Sequence, residues 1–531
     1  MPVWPKSLYT LRASLDTARV AARLRRHTSA VAVAEQTAAF TALTTQLAAT
    51  EVWQQAGVAA GMSYEEFRTR VAPCDYAQLG PAIERMQRGE PDVLWPGRCA
   101  FFAATAGTSA DLPKSIPVTE AMLAHFHAAG RAALLHYTAR VGHAGVFRGR
   151  HLFLGGSTAL APLGGDPAHP AFAGTLGGIA LLNLPRWAER HLYEPGAAVA
   201  QMENWDARLA AVAERTARAD VSLLAALPAA TLALAATLRK KIPAAPGDDA
   251  SLQAIWPNLE CYVHGGMPIG PYQAELRVAL GPAVNFHEVY AAAEACIAAQ
   301  DGTPAEGLRL LTGHGVFFEF VPMADFDEAR LAHTGTRAVP LAEAKAGVDY
   351  ALLLTTPGGL VRYVLGDVVR FVTTEPPRLH YVGSTKAQPG AFGERVSERE
   401  IAEALQTICQ RQAWSVVNFH VAPLFASNFT GTQRGRHEWW IELRPGTVAT
   451  PTGPAMASQL DVELQRVNAD YRAKRSAGAM EAPFVRLVMP GVFEHWLRFH
   501  RRWGGHHKLA RCRRDRSIAD ELAQMTNFAR D

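Results

Sequence analysis

The run Phe101-Phe102-Ala103-Ala104-Thr105-Ala106-Gly107-Thr108-Ser109-Ala110-Asp111-Leu112-Pro113-Lys114 constrains the fold of this chain more than any other stretch. An apolar segment empties into a loop where three hydroxyl side chains crowd one glycine. A lysine follows, and a helical pattern begins at about Thr119. This order makes a cradle for phosphate oxygens. Gly107 lets the backbone approach, successive N–H groups and hydroxyls donate, and Lys114 adds a point charge. It is not a Walker A loop, because no glycine precedes Lys114 and no Ser/Thr–Mg²⁺ pairing is set up. An ordinary turn is the competing reading of such a loop.

At 531 residues the chain exceeds what one hydrophobic core serves, so at least two domains are expected. Its 49% apolar and 19% charged residues are a soluble globular profile. A formal charge of +4 over this length argues against a nucleic-acid binder, which concentrates basic residues on one face. Six cysteines are scattered without a C-x-x-C pair, so neither a zinc ribbon nor a disulfide framework is indicated, and a reducing cytoplasm fits. Leu11 to His27 is alanine- and arginine-rich, as transit peptides are. The same usage recurs along the chain, so an amphipathic helix is the reading preferred. Val221 to Leu238 is the most apolar segment, but it is alanine-heavy and holds Pro228, which predicts a buried helix pair or helix-turn and no membrane span.

Taken in order, residues up to about Tyr76 read as helices, with Phe40, Leu43, Leu47 and Val52-Trp53 on one face. A further helix is predicted from Pro81 to Met86, stopped at Gly89, and a long one from Thr119 to Val141. The strand His151 to Leu154 runs into Gly155-Gly156-Ser157-Thr158-Ala159, one residue away from a nucleophile-elbow motif but read as a strand-end turn. Alanine-rich helical sequence continues to about Lys241. The strand Tyr262 to His264 and the helix Tyr272 to Leu280 extend a strand–helix alternation that predicts an α/β sheet with crossovers. Two hairpins are expected next: Leu308–Leu311 with Val316–Val321, and Tyr350–Thr355 with Leu360–Val364. After the strand Leu379 to Val382, residues Gly383 to Gly393 read as an interdomain linker. A small α+β unit follows, opening with the helix Ser397 to Arg411.

Three later clusters carry chemistry. Tyr290-Ala291-Ala292-Ala293-Glu294 sets an aromatic ring four residues from a carboxylate, suited to an adenine face and to Mg²⁺ on phosphate oxygens. A core tyrosine and a solvated glutamate are the plain alternative. Arg362-Tyr363-Val364-Leu365-Gly366-Asp367 places a carboxylate after a strand at a glycine bend, where it can accept both ribose hydroxyls; a turn-forming Gly-Asp pair is as good a reading. Gly504-Gly505-His506-His507-Lys508-Leu509-Ala510-Arg511 offers a late lysine on a glycine loop, amid arginines that read equally as a basic surface.

The order of these clusters resembles the adenylate-forming enzyme superfamily, and more closely the auxin-responsive family of acyl-acid amido synthetases. Further segments carry the resemblance: Val71-Ala72-Pro73 with Asp75-Tyr76, Phe317-Phe318-Glu319-Phe320-Val321-Pro322, Gly393-Glu394-Arg395-Val396-Ser397-Glu398, Leu460-Asp461 to Asn468 and Tyr471, and His507-Lys508-Leu509-Ala510-Arg511. They reach from about residue 70 to 530. The resemblance implies a large α/β N-terminal domain of mixed sheets packed with helices (1–383), binding ATP and the acyl group, and a small mobile α+β C-terminal lid (384–531). It implies ATP and Mg²⁺, a small carboxylic acid and an amine, most simply an amino acid, and a cytoplasmic monomer that needs neither nucleic acid nor membrane. By position, Thr105, Gly107, Thr108 and Ser109, with Lys114, would hold phosphates. Tyr290 would sit by the adenine, Glu294 by Mg²⁺ and Asp367 by the ribose, with Ala292, Ala293 and Arg362 counted among the nucleotide contacts. Lys508 and Glu294 would be the catalytic pair, Lys508 at the reacting carboxylate. Ala106, Ala110, Ala293 and Ser384 stand where relatives carry a serine, a glycine, a hydroxyl residue and a basic residue. An amide-forming ligase, a ligase passing the acyl group to a thiol such as coenzyme A, and a non-catalytic relative are the readings that follow.

Overall fold

The computed structural model describes residues 5–105, 114–243, 250–385, 392, 394, 396–425, 435–444, 451–500, 502–504 and 509–528. Its helices start where side chains can cap them. Thr119 Oγ1 accepts from the Met122 N–H, Glu120 lies in the first turn, and Gly142 ends the helix with a left-handed φ of 80°, giving Glu120–Val141 as the spacing predicts. Ser397 and Glu400 form a capping box that opens Glu398–Gln412. Asp75 and Gln78 form another, so that helix runs Tyr76–Gln87 and Pro81, expected to begin it, lies inside. The two orphan N–H groups satisfied by the Asp75 box outweigh the one bond the proline removes.

Among the described residues the strands form sheets of twelve, four and three. One end of the largest is parallel: Tyr193–Glu194, Arg150–Leu154, Val221–Ala226, Cys261–His264 and Asn285–Ala291 lie side by side in that order. The sheet turns antiparallel at Cys296–Gln300 and continues through Leu308–Leu310, Pro377–Ser384, Tyr363–Thr374, Asp349–Thr355, Phe317–Pro322 and Val339–Pro340. In the four-stranded sheet Phe101–Thr105 pairs antiparallel with Lys114–Val118, which sets Thr105 directly opposite Lys114. The helices Lys6–Arg26 and Ser29–Leu47 occupy the alanine-rich start, with Phe40, Leu43 and Leu47 buried as their spacing implies.

Two expectations are corrected. Val221 to Leu238 is not a helix pair: Val221–Ala226 is a central strand, and Pro228 opens the helix Pro228–Lys241. A short buried run looks alike in either state, and here parallel neighbours on both sides satisfy its backbone. Leu308–Leu310 and Phe317–Pro322 do not form a hairpin. The first pairs with Cys296–Gln300 and Pro377–Ser384, the second with Val339–Pro340 and Asp349–Thr355. The second expected hairpin forms, its return strand beginning at Tyr363. Ser157 Oγ donates to the Ala200 and Gln201 carbonyls and accepts from the Ala159 N–H, so Gly155 to Ala159 is the strand-end turn it was read as.

The chain divides into two compact units. The larger comprises Met1–Gly266 and Leu280–Tyr381; the smaller comprises Met267–Ala279 and Val382–Asp531. The larger core includes the fully buried Phe67, Phe102, Phe318, Phe320 and Tyr363. The smaller packs Ile401, Leu405, Ile408, Phe419, Trp439 and Leu460 around the strands Val416–Phe425, Gly435–Leu443 and Phe484–Val488. A boundary at residue 383 leaves the inserted Met267–Ala279 piece out of the smaller unit.

Candidate active site

The parallel strand Asn285–Ala291 carries Tyr290 near its C-terminal end, the edge of an α/β sheet where ligands characteristically bind. The Ala292 N–H donates to the Ala295 carbonyl at 2.8 Å, closing the turn that presents Glu294. Ala293 packs against the main core. Further along the same sheet, a bulge interrupts Tyr363–Thr374. Ala351 faces Val368 while Leu353 faces Val364, so Leu365 to Asp367 bow out of register, and Gly366 supplies the left-handed φ of 91° this needs. The bulge delivers Asp367 to Tyr290, whose hydroxyl donates to Asp367 Oδ2 at 2.6 Å. Burial, then the Asp367 charge, pushes the Tyr290 phenol well above its ordinary pKa, so it remains a donor. Tyr381 meets Tyr290 edge-on, with ring centroids 5.7 Å apart.

Lys114 approaches the same region from the four-stranded sheet. Its Nζ donates to the Tyr363 hydroxyl at 3.2 Å and stands 5.7 and 5.9 Å from the ring centroids of Tyr363 and Tyr76. Tyr76 is held in turn, because its hydroxyl accepts from the Ser115 N–H at 2.9 Å. Cys74 bridges to Tyr363 in a single β-bridge, joining the segment before Tyr76 to the return strand. Glu294 is only 6% exposed. Burial raises its pKa to about 7, opposed mainly by the charge of Lys114 and reinforced by that of Asp367. A carboxyl near neutrality at pH 7, facing one lysine, is under-compensated, and a cation beside it would hold it ionised.

Thr105, Lys114, Tyr290, Glu294 and Asp367 are thus drawn from separate segments into one region of the larger unit. Gly107, Thr108, Ser109 and Lys508 lie outside the described residues, as does most of the expected linker from Gly383 to Gly393. Arg362, counted from the resemblance among the nucleotide contacts, lies within the fold. It is fully buried, pairs with Glu319 at 2.9 Å, and donates to the Val71, Arg68 and Gly335 carbonyls at 2.6, 3.0 and 2.8 Å. Its guanidinium donors are taken by Glu319 and these carbonyls. It braces the turn before Tyr363, where it adopts a left-handed φ of 45°. Tyr76, Tyr363, Tyr381 and Glu319 were given no role from sequence, although Tyr76, Tyr363 and Glu319 sit inside the motif segments themselves.

Comparison with solved structures defines a class. The fold is that of adenylate-forming enzymes. It superposes on GH3.15 acyl acid amido synthetase with a TM-score of 0.72, at 18% identity, over 96% of this chain and 95% of that one. On a 2-hydroxyisobutyryl-CoA ligase in its postadenylation state the TM-score is 0.58, at 14% identity, over 94% and 92%. Within that class the chain belongs to the GH3 family: the models of its N-terminal, central and C-terminal domains match residues 22–284, 309–384 and 399–517. Among curated proteins it is 29% identical over 268 residues to the probable indole-3-acetic acid-amido synthetase GH3.6 of Oryza sativa subsp. japonica, covering 46% of this chain and 52% of that one. It is 26% identical over 275 residues to the probable indole-3-acetic acid-amido synthetase GH3.1 of Arabidopsis thaliana, covering 49% and 44%. The match thus spans about half the length of these relatives. No described helix is long and apolar enough to cross a membrane.

Proposed function

We propose that this protein is an ATP-dependent acyl-acid amido synthetase. A carboxylate is a poor electrophile, since its charge repels nucleophiles and its leaving group would be oxide. Attack of that carboxylate on the α-phosphate of ATP releases pyrophosphate and gives an acyl-adenylate with a good leaving group, and an amine, most simply that of an amino acid, then takes the acyl group. Catalysis of this kind is mostly positioning and charge neutralisation. The observation that carries the reading is the Tyr290–Asp367 hydrogen bond beside a buried Glu294 facing Lys114.

In this reading Asp367 accepts the ribose hydroxyls and Tyr290 fixes its carboxylate. The half-buried Tyr381 offers more ring surface to a base than Tyr290, which is 6% exposed. Thr105 and Lys114, with Gly107, Thr108 and Ser109, take the phosphates, and Lys508 the reacting carboxylate. The donor set fits Mg²⁺. No group of three or more His, Cys, Asp or Glu side chains that could cage a metal occurs among the described residues, and Mg²⁺ usually keeps to one or two carboxylates, phosphate oxygens and water. Glu294 would hold it, and its chemistry there is to offset phosphate charge. A cytoplasmic setting and a monomer belong to the same reading, as does a smaller unit acting as a lid.

ATP–pyrophosphate exchange across a panel of carboxylic acids tests this reading, followed by mass detection of conjugates with amino acids or with coenzyme A. Acid-dependent exchange with an amide product is expected. Exchange with a coenzyme A thioester and no amide would reassign the acceptor, and no exchange with any acid would leave only a binding relative.

A further inference from the structure

The helices Lys6–Arg26, Ser29–Leu47 and Glu120–Val141 and the turn Leu311 to His314 line a half-open cavity of about 180 Å³ in the larger unit. None of the residues placed around Tyr290 and Glu294 lines it. Its wall is mostly apolar, from Leu24, Ala132, Leu135 and Leu310, yet Arg23, Arg131 and Arg309 also reach it. Each of the three has a carboxylate of its own, but with Arg12, Arg19 and Arg378, which share the same partners, six arginines meet four carboxylates, Asp16, Glu35, Asp301 and Glu306. Asp16 is shared by Arg12, Arg19 and Arg131, and Asp301 by Arg309 and Arg378. Glu35, the acidic residue in the wall, is already taken by Arg23, His27 and Thr312 at 2.6, 3.1 and 2.5 Å. Against the cost of its burial, the hydrogen bonds from His27, Thr312 and Arg23 hold its pKa down to about 2, so it stays ionised and paired. The set as a whole keeps two more arginines than carboxylates.

Two ring nitrogens point to an absent partner. His136 lines the cavity at 6% exposure, and its Nδ1 is buried with no hydrogen-bond partner among the described residues. His314 Nδ1, in the same wall, has none either. A buried polar atom left unpaired costs about 1–3 kcal/mol, which a ligand can recover. Apolar cavities of about 150 Å³ take up benzene, so one of about 180 Å³ holds a single substituted ring. We propose that this cavity is a second ligand site, separate from the Glu294 cluster, for a small carboxylic acid with an apolar body. The carboxylate lies towards Arg131 and the His136 ring, and the body lies against Leu24 and Leu135.

The test is calorimetric titration of the full chain with benzoate, benzamide and inorganic phosphate, for the wild type and for Arg131→Glu and Ala132→Leu, each checked for native circular dichroism. The two variants act on opposite properties, charge and space, and either suffices if the other misfolds. Benzoate is expected to bind the wild type at least about ten-fold more tightly than benzamide or phosphate, and each variant to weaken it about ten-fold or more. Benzoate affinity unchanged in the variants would place the binding elsewhere and overturn the site. Benzamide or phosphate binding as well as benzoate, or no benzoate binding at roughly 10 mM, would overturn the ligand class. The readout is binding alone, so it stands or falls apart from the proposed ligase activity.

Discussion

Two buried glutamates in the larger unit are treated in opposite ways. Glu319 meets Arg362 at 2.9 Å, accepts from the Tyr64 hydroxyl at 3.0 Å, and the guanidinium spends its remaining donors on three carbonyls. Glu294, equally removed from water, has Lys114 as its charge partner, and its pKa rises to about 7. A buried carboxylate that serves the fold has its charge answered inside the chain. In the proposed reading, the half-answered Glu294 is held for a cation that arrives with the nucleotide.

This contrast can be broken in several ways. Arg362→Ala strands the Glu319 charge, and urea unfolding is expected to show a loss of about 3–5 kcal/mol, or no soluble protein at all. A loss below about 1 kcal/mol would mean that the pair does not brace the fold. Glu294→Gln should do the reverse. Stability holds at neutral pH while acid-dependent pyrophosphate exchange falls by about 10²–10³-fold, the usual cost of removing one charge-stabilising group. Equal exchange by mutant and wild type would remove Glu294 from the chemistry.

The pH dependence sharpens the same point. Glu294 titrates higher in the folded chain than the ordinary 4.5 of the unfolded one. Between pH 4.5 and about 7 the folded state therefore binds the extra proton, and stability from this group falls as pH rises through that window. Wild type should lose up to ~3 kcal/mol relative to Glu294→Gln between about pH 5 and 7.5, and parallel profiles would refute the raised pKa. Least costly, Tyr290→Phe deletes the donor to Asp367. A loss of ~2 kcal/mol in stability or nucleotide binding is expected by thermal and calorimetric titration, and none if water replaces the phenol.

Much of this was legible because it is local. Thr119, Ser397 and Gly142 set helix ends within a few residues of themselves, while the Tyr290, Glu294 and Asp367 clusters, each of which alone reads as well as core or turn, gain meaning from their order along the chain. What escaped is decided by partners far along the chain. Leu308–Leu310 and Phe317–Pro322 look like a hairpin until their real neighbours are present. Val221–Ala226 looks helical until parallel strands flank it. Arg362 reads as a ligand-facing cation beside Asp367, and only the Val71, Arg68 and Gly335 carbonyls show otherwise.

The inserted piece Met267–Ala279 carries a practical consequence for anyone dissecting this protein. Within the smaller unit, Tyr272 is buried under the Arg511 guanidinium, 5.4 Å from its ring centroid, and Glu275 pairs with Arg444. No single cut in the gene therefore yields that unit intact. A fragment begun at Val382 would lack the ring that covers Arg511 and the carboxylate that answers Arg444. To be whole it would need residues 267–279 returned to it, grafted on or supplied as a peptide.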